Sequence, residues 1–245
     1  MEPGLSQRNR RVAEAARLQR AEDRKARRLT LLEGPHLLQE AIGAGAPLVE
    51  VFALAGDSAA RQWARSGELE LVVVGEEALR RLSSTRTPQS PVAVMQIPPA
   101  GLRPDRSLVV AWEISDPGNL GTMIRTAAAF GMDVAVTAGS VDPWSPKVLR
   151  AASGGHFHTG IDAFDRPETI GAVRVAAVVS GGISPRLLPG GRVAVLIGSE
   201  AHGLPEDVVA RADVRVTIPM SPATESLNAA AAGAILAYEV SMRRK

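Results

Sequence analysis

The chain has no cysteine among its 245 residues. This excludes disulfides, cysteine-ligated zinc and any mechanism that needs a thiolate nucleophile, including methylation of a pyrimidine carbon through a covalent cysteine adduct. Also missing is any apolar run approaching the roughly 18 residues needed to cross a bilayer. The N-terminus, MEPGLSQRNRRVAEAARLQR, lacks the apolar centre of a signal peptide. A cytoplasmic protein without membrane contact is therefore expected, and no metal site is expected. The nucleotide fingerprints are absent too: there is no Gly-x-x-x-x-Gly-Lys-Ser/Thr loop and no Gly-x-Gly-x-x-Gly after a strand. No Gly-x-Ser-x-Gly elbow occurs, although Ser199 and His202 are close in sequence, which argues against a serine hydrolase.

What is present begins with unevenly placed charge. The formal net charge is only +2, yet nine arginines and lysines against three acids fall between Arg8 and Arg28. Residues 1–28 read as a basic, helical N-terminal arm that seeks a polyanion, because neutralising phosphates releases counterions. The competing reading is a solvated helix or tail.

Past the arm, LTLLEGPHLLQEAIGAG reads as a short lead-in and a helix over 36–44 closed by Gly45. PLVEVFAL, ELELVVV and PVAVMQIP read as strands, separated by helices over 57–65 and in GEEALRRLSST, giving a small α/β domain over 29–98. The Pro- and Gly-rich stretch PPAGLRPDRS marks a linker at 99–107. In 108–245, LVVAWEI, DVAVTA, VRVAAVVS, RVAVLIG and DVRVTI are the near-continuous Val/Ile/Ala runs of a parallel sheet covered on both faces. The last predicted helix, ESLNAAAAGAILAYEVSMRR, carries alanine on nearly every face, so its neighbours must approach closely.

Ligands in open α/β sheets bind at the carboxyl ends of strands. Three loops meet that description: SDPGNLGTMIRTAAAFG (115–131), IGSEAHGLP (197–205) and IPMSPATESLN (218–228). In this order they resemble the three signature motifs of the SpoU (TrmH) family, knotted S-adenosylmethionine-dependent RNA 2'-O-ribose methyltransferases. The resemblance covers 108–245. The region 29–98 more loosely resembles the small ribosomal-protein-L30e-like RNA-binding domain that many members carry in front.

The resemblance implies an α/β-knot (SPOUT) domain with a deep trefoil knot, S-adenosylmethionine as methyl donor, and a homodimer. In the first motif it points to Asn119 and Arg125, which at six residues apart on a helix do not share a face. Asn119 has helix capping as an alternative, and Arg125 a surface ion pair, although the neighbouring Thr126 and alanines suggest packed surroundings. Arginine keeps its proton, so Arg125 reads as a phosphate clamp and RNA contact more naturally than as a base. In the second motif Glu200 orients the arginine or the ribose hydroxyl, with a helix-start carboxylate as alternative. Gly198 lets the backbone approach the cofactor. His202 is titratable in the right range but reads as a loop residue. The third motif places cofactor contacts on Ile218, Met220 and Leu227 and polar site members at Ser226 and Asn228. Core packing for Met220 and capping for Ser226 remain open. Between the first two motifs, Lys147, Arg150 and Ser153 recur every three residues on one predicted helix face and present an RNA-binding row, or a solvated one. The expected substrate is structured RNA, with ribosomal RNA favoured over transfer RNA by the front domain. The alternatives are a transfer RNA enzyme, a non-catalytic RNA-binding or ribosome-assembly protein, and a nucleobase methylase.

Overall fold

The computed structural model describes residues 4–164 and 171–243. The first three residues of the expected arm and the last two of the chain lie outside these. The chain divides into two compact units, Met1–Pro99 with Trp144–Phe157, and Ala100–Pro143 with His158–Lys245.

The first unit contains α1 (Arg10–Ala16), α2 (Ala21–Arg27), β1 (Leu29–Glu33), α3 (Pro35–Gly43), β2 (Leu48–Leu54), α4 (Ser58–Ser66), β3 (Glu70–Val74), α5 (Glu76–Leu82) and β4 (Val92–Gln96). The sheet order is β1-β4-β2-β3, with β4 antiparallel to both neighbours and β2 parallel to β3. The lead-in LTLLE is thus a full strand. Side chains alternate between the two faces of a strand. Accordingly Leu31, Phe52, Val92 and Val94 join one core cluster, and Leu32, Val51, Ala93 and Met95 the other. Leu37, Leu38 and Ala41 of α3 cover the second face together with Leu149. That leucine belongs to a helix at Pro146–Ala152, which leaves the C-terminal half of the sequence to complete this unit.

The N-terminal basic segment is folded into the same unit. Val12 and Leu18 are fully buried and Ala15 nearly so, all in the first cluster. Arg24, 3% exposed, donates to the carbonyls of Leu18 at 2.8 Å and Gln19 at 2.9 Å. Most of the remaining charge is also engaged. Arg11 meets Glu50 and Glu70, each at 2.6 Å, and Arg17 meets Asp23 at 2.8 Å.

The second unit is built on six parallel strands: β5 (Leu108–Ala111), β6 (Asp133–Thr137), β7 (Ile161–Phe164), β8 (Val173–Ala177), β9 (Val193–Ile197) and β10 (Val214–Val216). Their order is β10-β8-β9-β5-β6-β7. Five of the six match the Val/Ile runs of the sequence. The sixth, β7, is only four residues long, IDAF, and is interrupted by Asp162, which hides it from a hydropathy reading. With α6 (Pro117–Ala129), the helix at Pro146–Ala152 as α7, α8 (Glu206–Ala210) and α9 (Ala229–Ser241), the α-helices of the described residues are complete. Helices α6 and α9 pack together. A Cβ on Gly233 of α9 would stand 3.6 Å from Met123 of α6 and 3.8 Å from Ile197, the close approach that an alanine-rich helix permits.

The expected linker is docked on this unit. The side chain of Asp133, at the start of β6, is fully buried and accepts from Arg103 N at 2.6 Å, Gly160 N at 2.9 Å and the Arg103 guanidinium at 2.6 Å. Among the described residues, no helix is long and apolar enough to cross a membrane.

Candidate functional site

Because every strand of the second sheet is parallel, the loops after β5, β8, β9 and β10 emerge at one edge. The first of these loops ends at Asp116, whose carboxylate accepts from Asn119 N at 2.8 Å and caps α6, with Pro117 at the first helical position. The capping role suggested for Asn119 therefore belongs to Asp116. The Asn119 side chain is released to do something else.

It joins the three motifs. Asn119 Nδ2 donates to Glu200 Oε1, and Asn119 Oδ1 accepts from Asn228 Nδ2 at 2.9 Å. Asn228 is in turn the cap of α9, its Oδ1 accepting from Ala230 N at 3.0 Å and Ala231 N at 3.1 Å. That helix starts at Ala229, so Ser226 stays in the loop and caps nothing. Glu200 sits in a tight turn closed by Gly203 N on Ser199 O at 2.8 Å, well before α8, and is not a helix-start carboxylate. Gly198 is required there. A Cβ at that position would lie 2.1 Å from the carbonyl carbon of Gly203.

A cavity of roughly 320 Å³ opens among these loops, lined by Ile197, Gly198, Glu200, His202, Ile218, Met220, Ser226 and Leu227. Sequence reasoning named most of these. It missed Ala177, Val178 and Val179, which line the cavity from the end of β8, although a strand end in a parallel sheet was the signal available. The lining suits S-adenosylmethionine: the volume is in the range of small-ligand sites, the aliphatic walls suit an adenine, and the Glu200 carboxylate and Ser226 hydroxyl suit the polar and cationic end. Among the described residues, no group of three or more His, Cys, Asp or Glu is placed to hold a metal.

Arg125 differs from its expectation of packed surroundings. It lies on the exposed side of α6, outside the cavity lining, and among the described residues has no hydrogen bond or ion pair. The expected RNA-binding row on α7 does not form either. Lys147 is exposed, but Arg150 donates to Glu33 at 2.8 Å and to Ser84 at 2.7 Å. Ser153 ends the helix in the left-handed region, φ 47°, with its hydroxyl 3.0 Å from His36 Nε2.

Residues 106–238 match the model of the SpoU rRNA methylase family, and residues 9–93 match that of the MRM3-like substrate-binding domain. The chain is 30% identical over 243 residues to the Bacillus subtilis 23S rRNA (guanosine(2553)-2'-O)-methyltransferase RlmP, covering 96% of this chain and 97% of that one. It is 29% identical to the zebrafish (Danio rerio) mitochondrial rRNA methyltransferase 3A, over 94% of this chain and 67% of the relative. A crystal structure of an RNA 2'-O ribose methyltransferase superposes with TM-score 0.81 at 29% identity, covering 98% of each chain. The fold is also shared, TM-score 0.86 at 24% identity, with AviRb of Streptomyces viridochromogenes, solved in complex with AdoMet. These findings define a two-unit α/β methyltransferase. The chain belongs to the SpoU rRNA methylase family, whose members take their methyl group from S-adenosylmethionine.

Proposed function

We propose that the protein methylates a ribose 2'-hydroxyl of 23S ribosomal RNA, with its first unit holding structured RNA and the cavity of its second unit holding S-adenosylmethionine. The observation that carries this reading is the Asn119 side chain tying Glu200 to Asn228, which draws all three motif loops together at the cavity. The bound sulfonium supplies an electrophilic methyl carbon. The chain must then orient the 2'-hydroxyl, receive its proton and fix its phosphate.

Glu200 suits the first two tasks. One carboxylate oxygen is held by Asn119, and among the described residues the other has no partner, leaving an acceptor for the hydroxyl hydrogen. Arg125, exposed on α6 and without a partner among the described residues, suits the phosphate, which its planar fork can grip with two parallel hydrogen bonds. Gly198, Ile218, Met220, Leu227 and Ser226 hold the cofactor, and Asn228 fixes the start of α9 beside it. The O–CH3 bond forms as the S–CH3 bond breaks, and the hydroxyl proton passes to Glu200.

Homodimerisation through α9 is part of the reading, supported by Ile235, Tyr238 and Met242, which that end of the chain leaves exposed. So are the trefoil knot of the SpoU fold and a cytoplasmic location. Incubation of the full chain with labelled cofactor and total RNA tests the reading. Label is expected on one ribose of 23S rRNA. Label on transfer RNA would move the target, label on a base would change the reaction, and no transfer with the cofactor still bound would leave an RNA-binding protein.

A further inference from the structure

We propose that Glu113 reads the base of the acceptor nucleotide, accepting from the N1–H and the exocyclic amine of a guanine. The inference rests on the RNA methyltransferase reading above. Glu113 follows β5 and has φ 52°, a left-handed conformation that residues with a Cβ rarely adopt. Three other non-glycine residues of the described chain share it, and each has a local reason: Arg28 and Ser153 close α2 and α7, and Glu68 sits in the turn that ends α4. Glu113 ends no helix. It stands at the sheet edge where the cavity opens, one residue after Trp112, whose N–H donates to the cavity residue Ile197 at 2.8 Å, and three residues before the cap of α6.

The backbone around it is held from both sides. Glu113 N donates to Thr137 Oγ1 at 2.9 Å, Ile114 N to Ser140 Oγ at 3.0 Å, and Val141 N to Ile114 O at 2.9 Å. Beneath the side chain is Gly139, itself at φ 86°, where a Cβ would come within 3.2 Å of Glu113 Cγ. Two consecutive loops thus adopt glycine-type backbone so that one carboxylate can occupy this place. Among the described residues that exposed carboxylate has no hydrogen bond or ion pair and stands open to a ligand. Unfavourable backbone that surroundings enforce is characteristic of ligand sites. A carboxylate only accepts, so its complement is a pair of adjacent donors. On its pairing edge guanine offers two, the N1–H and the 2-amine, while cytosine offers a single amine.

The test uses the full chain with S-adenosylmethionine and a synthetic 23S rRNA fragment bearing the mapped acceptor, as guanosine or as inosine, which lacks the 2-amine. Wild type is expected to methylate the guanosine fragment about tenfold more efficiently. Glu113→Gly and Glu113→Gln should bring that ratio close to one. Because glycine suits the left-handed region, Glu113→Gly should also raise Tm by about 2 °C, separating lost discrimination from lost folding. A mapped acceptor other than guanosine, or the same ratio in wild type and both variants, would overturn the proposal. Calorimetric binding of guanosine and inosine monophosphates tests it apart from transfer. Tighter guanosine binding that Glu113→Gly abolishes supports Glu113 even if no ribose is methylated, whereas equal binding with intact transfer discards Glu113 and keeps the enzyme.

Discussion

The two edges of the six-stranded sheet treat polar side chains in opposite ways. At the edge where β6 begins, the Asp133 carboxylate is fully buried and saturated by Arg103 and the Gly160 N–H. At the other, among the described residues, Glu200 keeps a free oxygen, Arg125 keeps a free guanidinium, and Glu113 is held in an unfavourable backbone with no partner. Satisfied buried charge fixes a fold, whereas unsatisfied exposed charge at strand ends is available to a substrate. The contrast predicts that mutations at the first edge act on stability and those at the second act on turnover.

The largest effect should come from Arg125→Ala. Removing a charge-assisted grip on the acceptor phosphate is expected to lower kcat/KM for RNA by about 10²–10³-fold. Cofactor affinity by calorimetry and Tm should barely move, since Arg125 is exposed and lines no part of the cavity. A large loss of cofactor binding would instead place Arg125 in the cofactor site.

The opposite result is expected of Asp133→Asn. The amide cannot accept the whole set of donors, so about 3 kcal/mol of stability should be lost with little change in turnover by folded enzyme. A pH series sharpens this. Burial alone would raise the Asp133 pKa, but the hydrogen bonds from Arg103 and Gly160 outweigh it and hold the value below that of an ordinary carboxylate. A depressed folded pKa gives stability that is complete above the unfolded value, about 3.9, and is lost as pH falls through the folded one. Wild-type Tm should therefore drop below pH 4, and the Asn variant should lack that part of the drop.

These contrasts also mark what could be read from the sequence. The motif loops were legible because they put glycine, amide and carboxylate residues where strands end and a core would want none. Their connection was not, because Asn119 meets Glu200 and Asn228 across more than eighty residues. The parallel sheet was legible from its Val/Ile runs, except β7, whose four residues carry no such run. The N-terminal segment reads by its charge as a basic arm, whereas Val12, Ala15 and Leu18, spaced three apart, trace the stripe that buries it in the first unit. Membership of α7 in the first unit depends on contacts with β1, distant in sequence. No periodicity announces that.

In that first unit, Arg150→Ala extends the comparison. Glu33, whose side chain is 4% exposed, would keep Ser83 Oγ at 2.8 Å and Ser84 N at 2.9 Å but lose its cation. A cost of about 2 kcal/mol is expected, since removing one partner of a buried pair leaves the other uncompensated. If Arg150 were instead an RNA contact, affinity for RNA would fall and Tm would hold.

The smallest effect concerns the few basic side chains near the N-terminus that remain open. Arg8, Arg20 and Lys25 are exposed and, among the described residues, have no side-chain hydrogen bond or ion pair. If they meet RNA phosphates, replacing any one with Ala should reduce the slope of log affinity against log salt by about 0.7–0.9. Arg11→Ala should leave that slope unchanged, because its guanidinium is already committed to Glu50 and Glu70 at 2.6 Å each. An equal change for Arg11 would mean that net charge, and not free guanidinium or ammonium groups in contact with phosphate, draws RNA to this unit. An unchanged slope for all four would place the RNA path elsewhere on the surface and leave the N-terminal charge with the structural role that Arg11, Arg17 and Arg24 already fill.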